Sequence, residues 1–96
     1  MTRFRIAERA DQDLVKIYEF GRIAFGPQQA VKYLLELDHV FGLLADNPRI
    51  GRLARNIGPD VRRHEHKSHI ILYVEEGEGI LIAAVVYKGS VRGLHL

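Results

Sequence analysis

Three histidines fall within six residues of this chain, at His64, His66 and His69, with Glu65 between the first two. Imidazoles are common zinc ligands, and residues 64 and 66 would point to the same side of a strand. However, Arg62, Arg63 and Lys67 would repel a cation, and His69 follows an expected turn. We therefore predict no metal site here and interpret the histidines as a mildly titrating, partly exposed cluster.

The histidines belong to a basic segment in a chain whose net charge is only +2. Residues 49–67 carry six basic and two acidic side chains, a net charge of +4, whereas residues 8–46 carry four basic and seven acidic ones, a net charge of −3. Such asymmetry indicates an anionic partner for the second half of the chain, either a nucleic acid or an acidic polypeptide.

Composition narrows the class of protein. The chain has 96 residues, 47% of them hydrophobic and 27% charged, which predicts one folded domain over 1–96. The absence of cysteine excludes a disulfide scaffold, a thiolate zinc site and a cysteine nucleophile. The longest apolar run, Ile80–Tyr87, is too short to cross a bilayer, and no signal-peptide core precedes it. We expect a cytoplasmic protein without a cofactor.

A short strand and two helices must come before the basic segment. Alternation around Phe4 and Ile6 predicts a strand over Thr2–Ala7. An amphipathic helix follows, and Gly26-Pro27 separates it from a second helix over Pro27–Ala45, which makes an antiparallel hairpin. The second helix has an apolar face too wide for one sheet to cover, which indicates contact with another helix or a partner. The residues that widen this face are Val31, Leu35, Val40 and Leu43.

Three strands are predicted after a surface loop over 49–60. They cover Val61–His66, His69–Glu75 and Ile80–Tyr87, and a glycine-rich turn joins the last two. The element order predicts an α+β fold in which the two helices cover one face of a curved antiparallel sheet. We expect the opposite face of that sheet to carry the functional groove.

The order of these elements and several short motifs resemble the ParE/RelE superfamily of small toxins from bacterial toxin–antitoxin operons. No single motif decides the matter, but their order and spacing together are specific, and they extend over nearly the whole chain. The motifs are Ile6–Ala10 with Asp13-Leu14, Phe25–Pro27, Leu44–Gly51, Val61–Arg63, Ser68–Tyr73, Ile80–Ile82 and the final His95-Leu96.

The resemblance is closest to the ParE branch, the plasmid stabilisation proteins. It implies a toxin that inhibits DNA gyrase, forms a hetero-oligomer with a cognate ParD-type antitoxin, and meets nucleic acid only indirectly through that antitoxin. For gyrase binding we select basic and aromatic residues of the sheet and tail: Arg62, Arg63, His69, Tyr73, Lys88 and Arg92. For antitoxin binding we select apolar residues of the hairpin: Leu14, Ile17, Tyr18, Leu34, Leu37 and Phe41.

Two alternatives stay open. The RelE branch cuts mRNA on the ribosome, and the resemblance would then assign catalysis to His69, Tyr87, Arg62 and Arg63. His69 and Gly89, however, occupy positions where such relatives often carry arginine, and loss of phosphate clamps weakens transition-state stabilisation. We therefore expect a gyrase-binding inhibitor rather than an enzyme. The other alternative is an inactive toxin that acts only as a co-repressor with its antitoxin.

Overall fold

The computed structural model describes residues 3–96. The elements are β1 (Phe4–Ile6), α1 (Glu8–Phe25), α2 (Pro27–Asp46), β2 (Arg52–Leu53), β3 (Arg62–His66), β4 (His69–Glu76), β5 (Gly79–Tyr87) and a 3₁₀ turn at Lys88–Ser90. The predicted α+β order is confirmed, and the second helix and the three later strands agree with the prediction to within one residue at each end. Thr2, placed in the first predicted strand, lies outside the described residues.

The sheet is mixed rather than purely antiparallel. Its strand order is β1-β5-β4-β3-β2, and β1 runs parallel to β5, with Phe4 opposite Ile80. This position lets the Phe4 ring pack edge-on against Phe41 of α2, with ring centroids 5.5 Å apart. The predicted loop over 49–60 also contributes the two-residue edge strand β2.

The core on the helix side of the sheet contains two residues that we had assigned to antitoxin binding. Leu37 and Phe41 are fully buried against the sheet, together with Leu44 of the same helix. In the free chain their position one turn apart on α2 faces Ile71, Tyr73 and Ile82 of the sheet, so neither side chain is accessible at the surface. Their role in antitoxin binding stays a prediction. Leu14, Ile17 and Leu34 are partly buried around the same core, and Tyr18 has intermediate exposure.

The opposite face of the sheet is covered rather than free, which corrects a second expectation. Alternate residues of β4 and β5 point to this face and form a separate buried cluster. Ile57 and Val61 of the loop lie over it, and the Leu96 N–H donates to the Ile57 carbonyl at 2.8 Å, which holds the chain end there. The central part of this face therefore offers no open groove.

Tyr73, which we selected for gyrase contact, instead joins the core to the basic segment in the free chain. The side chain is fully buried, and its hydroxyl donates to the Pro48 carbonyl at 2.7 Å and accepts from the Gly51 N–H at 2.9 Å. Arg62 donates to the Gly51 carbonyl at 2.7 Å. These bonds fix the course of the chain as it enters β2.

Asp13 of α1 accepts a backbone hydrogen bond from the part of β5 that lies beyond β1. β1 pairs only with residues 80–82, and α1 packs against the rest of β5. The Val85 N–H donates to Asp13 Oδ2 at 2.9 Å, and Arg9 Nε lies 3.2 Å from Asp13 Oδ1. A buried amide that β1 does not reach thus finds an acceptor on the helix.

We expect Asp13→Ala to lower the free energy of unfolding by about 1–3 kcal/mol, because it leaves the buried Val85 N–H without an acceptor. Asp13→Asn retains an oxygen that can accept this bond and should recover most of the loss. Urea unfolding followed by circular dichroism measures both variants, with the exposed Asp11→Ala as the control. An equal loss in Asp13→Ala and Asp11→Ala would contradict the role assigned to Asp13.

Candidate functional site

A polar cluster occupies the turn between β3 and β4 and the first half of α2. The Tyr33 hydroxyl and His69 Nδ1 share a hydrogen bond of 2.7 Å. Glu36 Oε1 lies 3.1 Å from His66 Nε2 and 2.7 Å from Lys67 Nζ. Lys67 holds a left-handed backbone conformation, with φ at 54°, in the tight turn. α2 and the β3–β4 turn together therefore position these five side chains.

Burial and neighbouring groups shift the pKa values of His69, Tyr33 and Glu36. Burial lowers the pKa of His69, with the neighbouring His66 adding to the effect. Burial, together with the charge of Glu36, raises the pKa of Tyr33 to about 12. The hydrogen bond from Lys67 keeps the pKa of Glu36 below its usual value. Near pH 7, His69 is therefore neutral and Tyr33 keeps its proton.

The depressed pKa of His69 predicts a loss of stability in mild acid. The unfolded chain, with a histidine pKa near 6.5, binds this proton more readily than the folded chain does. The contribution to stability is thus complete above that value and is lost as the pH falls through the pKa of the folded state. Desolvation lowers the pKa of His64 in the same direction, so two histidines contribute.

Urea unfolding at about pH 7.5 and about pH 5 measures this effect. The His69→Gln variant should lose less stability between the two values than the unsubstituted chain does. His95→Gln, in the exposed tail, is the control and should follow the unsubstituted chain. Tyr33, His66 and Tyr87 lie next to His69 and remain unchanged in both variants. The same loss in both variants would contradict the prediction.

The structure brings together only half of the residues that a ribonuclease would need. His69 and Tyr87 are direct partners across β4 and β5, with ring centroids 6.2 Å apart, and Tyr87 is 60% exposed. Arg62 pairs with Tyr73, four residues further along β4, or roughly 13 Å from His69. Arg63 points to the opposite face of the sheet. A cleaved phosphate could not contact all four residues at once.

The residues selected for gyrase contact are likewise divided between two faces. Arg62 lies on the helix side of β3, with Nε 3.9 Å from Glu75 Oε2. Arg63 and Lys88 lie on the other side, where both approach Glu65 at 3.4 Å. Arg92 is exposed in the tail. The alternation of side chains along β3 places Arg62 and Arg63 on opposite faces of the sheet.

Two apolar helix faces are exposed to solvent. On α2, Val31 and Leu35 lie one turn apart on the side away from the core, and Leu35 is 66% exposed. On α1, Phe20 and Ile23 are 69% and 76% exposed. We had assigned Val31 and Leu35 to the widened face of α2, but we had missed Phe20 and Ile23. The sequence could have revealed the exposure of Phe20 and Ile23, because both lie outside the apolar stripe that packs α1 against the core.

Among residues 3–96, no group of three or more histidine, aspartate or glutamate side chains is placed to hold a metal ion. Neither helix of this part of the chain combines the length and apolar character needed to cross a membrane.

Comparison with known proteins decides the family. A family model described as the ParE toxin of the type II toxin–antitoxin system parDE matches residues 4–90. The chain belongs to the ParE toxin family. Toxin ParE1 of Mycobacterium tuberculosis is 35% identical over 80 residues, which cover 83% of this chain and 82% of that protein. Toxin ParE1 of Caulobacter vibrioides is 28% identical over 96 residues, which cover 100% and 99% of the two chains.

A solved structure agrees with the ParE fold. A chain of the chromosomal ParDE toxin–antitoxin system from P. aeruginosa superposes with a TM-score of 0.75 at 21% identity, covering 91% of this chain and 96% of that one. The resemblance to the ParE branch is therefore confirmed, and the ParE family places this chain among the toxins of type II toxin–antitoxin systems.

Proposed function

We propose that this ParE-family toxin acts in the cytoplasm by inhibiting DNA gyrase and is held inactive by a ParD-type antitoxin. The observation that carries the proposal is the family match over residues 4–90. The separation of Arg62 and Arg63 from His69 and Tyr87 supports binding rather than RNA cleavage. Inhibition then depends on the surface of the folded domain over 1–96 and needs no cofactor.

The exposed apolar helix faces support the antitoxin part of the proposal. Val31 and Leu35 on α2 and Phe20 and Ile23 on α1 present large side chains to solvent without serving the core. A segment that folds as it binds can cover such faces with an amphipathic helix. We therefore move the antitoxin contact from the buried Leu37 and Phe41 to these outward faces, with Leu14, Ile17, Tyr18 and Leu34 at their inner margin.

Gyrase contact falls to the polar residues that remain accessible. Lys88 and Arg92 are exposed, and His69 and Arg62 are partly exposed on the helix side of the sheet. Arg63 lies on the opposite side next to Glu65. A gyrase subunit that used all of these residues would have to wrap around the β2–β3 edge of the sheet.

The test is a supercoiling assay with purified gyrase, ATP, relaxed plasmid and the purified toxin. We expect loss of supercoiling and accumulation of cleaved plasmid, both reversed by adding the antitoxin encoded beside the toxin. The matched assay is a translation extract in which ribosome-bound mRNA is monitored. Cleavage of the mRNA with unaffected gyrase would refute the proposal in favour of the RelE reaction. Inactivity in both assays would refute it in favour of the co-repressor.

A further inference from the structure

Three cations lie around one carboxylate on the sheet face opposite the helices, and two of them contact it. Arg52 and Arg63 are direct partners in the β2–β3 ladder. Glu65 receives Arg63 Nη2 on one oxygen and Lys88 Nζ on the other, each at 3.4 Å. Arg52, Arg63, Glu65 and Lys88 are called the basic cluster below, and together they carry a net charge of +2.

The charges of the basic cluster are not balanced within the chain. Like charges directly opposite each other in an antiparallel pair repel, since their Cβ atoms are only about 4.5–5.5 Å apart. Lys88 first, and then Arg63 and Arg52, lower the pKa of Glu65, so this carboxylate is charged but contacts only Lys88 and Arg63. An anion placed between the two guanidinium groups would remove their repulsion.

Arg63 also has a hydrogen-bond donor without an acceptor. Its side chain is only 18% exposed, and its one ion pair, with Glu65, is long. Its Nε is the only buried side-chain nitrogen or oxygen in residues 3–96 without a hydrogen-bond partner. Buried donors are nearly always paired in folded proteins. A small movement of this side chain toward an added anion would give the unpaired donor an acceptor.

We propose that the basic cluster is a binding site for the phosphate groups of a nucleic-acid backbone. Arginine presents a planar fork of donors that matches two phosphate oxygens, and Lys88 adds a point charge beside it. The exposed Arg52 and Lys88 would contact the phosphates at the surface, and the more buried Arg63 would donate to them from within the cluster.

The surroundings of the basic cluster favour a nucleic acid over an acidic peptide. Cations continue around the same sheet edge, because Arg49 and Arg62 lie on its other side near Glu75 and Arg55 follows in the exposed loop. A polyanion with regularly spaced charges can contact several of them in succession. Residues 49–67 contain no phenylalanine, tyrosine or tryptophan on which bases could stack, so binding should be independent of base sequence.

The biological role of this site rests on the proposed gyrase inhibition. Gyrase holds DNA, so a toxin bound to gyrase could contact that DNA directly. The binding itself needs no gyrase. An assay with DNA alone can therefore show no DNA binding while gyrase inhibition is still observed. It can equally show DNA binding when gyrase is not inhibited.

The experiment measures fluorescence anisotropy of a labelled DNA duplex of about 20 base pairs titrated with the purified full-length toxin at several salt concentrations. The test variant carries Arg52→Glu and Lys88→Glu, both exposed. The matched control carries Lys16→Glu and Lys32→Glu, which make the same change of net charge on the exposed sides of the helices. Circular dichroism melts verify that both variants are folded. Unlabelled polyglutamate and a duplex of different base sequence serve as competitors.

We expect the test variant to bind about tenfold more weakly and the control less than threefold more weakly at low salt, with both duplexes competing equally. Loss of two phosphate contacts should also reduce the slope of log K against log salt by about 1.8. Equal weakening in the test and control variants would overturn the proposal. So would undetectable binding at low salt, or competition by polyglutamate as strong as that by DNA, which would assign the site to an acidic polypeptide.

Discussion

Phe41→Ala is expected to lower the free energy of unfolding by about 3–5 kcal/mol. The ring is 1% exposed and packs against Phe4 and the helix-side core. Its removal would leave a cavity between α2 and the sheet that rigid strands cannot fill. A chain of this length has only about 5–14 kcal/mol of stability in total, so the variant should lose about a fifth of it or more.

Phe20→Ala is the matched control for that substitution, because the same side chain is removed from an exposed position on α1. We expect a change within about 0.5 kcal/mol. Guanidinium unfolding of both variants gives the comparison. Similar losses would mean that Phe41 does not occupy the core, and would restore it as a candidate for antitoxin contact.

Leu35→Asp should weaken antitoxin binding about 100-fold, or roughly 2.7 kcal/mol, while leaving the stability of the free toxin nearly unchanged. Leu35 is 66% exposed in the free chain. Under the proposed complex it becomes covered by apolar side chains of the antitoxin. A carboxylate at that position would lose its hydration without gaining a partner. Isothermal titration with the antitoxin measures the change.

Gln29→Asp provides the control for charge. It adds the same single negative charge to the same helix, on a different exposed side, and should change the affinity less than threefold. Equal weakening by both substitutions would show that the antitoxin senses the charge of α2 rather than its apolar face. No weakening by Leu35→Asp would exclude Val31 and Leu35 from the interface.

The sequence was sufficient to predict the fold because its signals were local. Gly26-Pro27 separates two amphipathic helices, and the glycine-rich turn before Ile80 separates two apolar strands. The parallel direction of β1 could not be predicted in this way, because nothing in its three residues specifies a partner. It depends on the packing of Phe4 against Phe41, which are far apart in the chain.

The candidate site was harder to predict, because it depends on which side of each element faces outward. The widened face of α2 contained both the buried Val40 and the exposed Leu35, and spacing alone did not separate them. The adjacent Arg62 and Arg63 point to opposite faces of β3, and the sequence alone did not show which of them lies on the helix side. Tyr73 is buried rather than exposed, because its hydroxyl forms hydrogen bonds with Gly51 and Pro48 of a distant loop.

The contact of α1 with β5 has a consequence for the behaviour of this protein in cells. Residues 80–87 form the most apolar and β-prone stretch of the chain, and beyond Ile82 their backbone has no strand beside it on the β1 side. An exposed edge strand of this kind can pair with the same strand of another chain and lead to aggregation. Since α1 and its Asp13 cover this part of the edge, we expect that displacement of α1 would expose β5 to pairing with another copy of the chain.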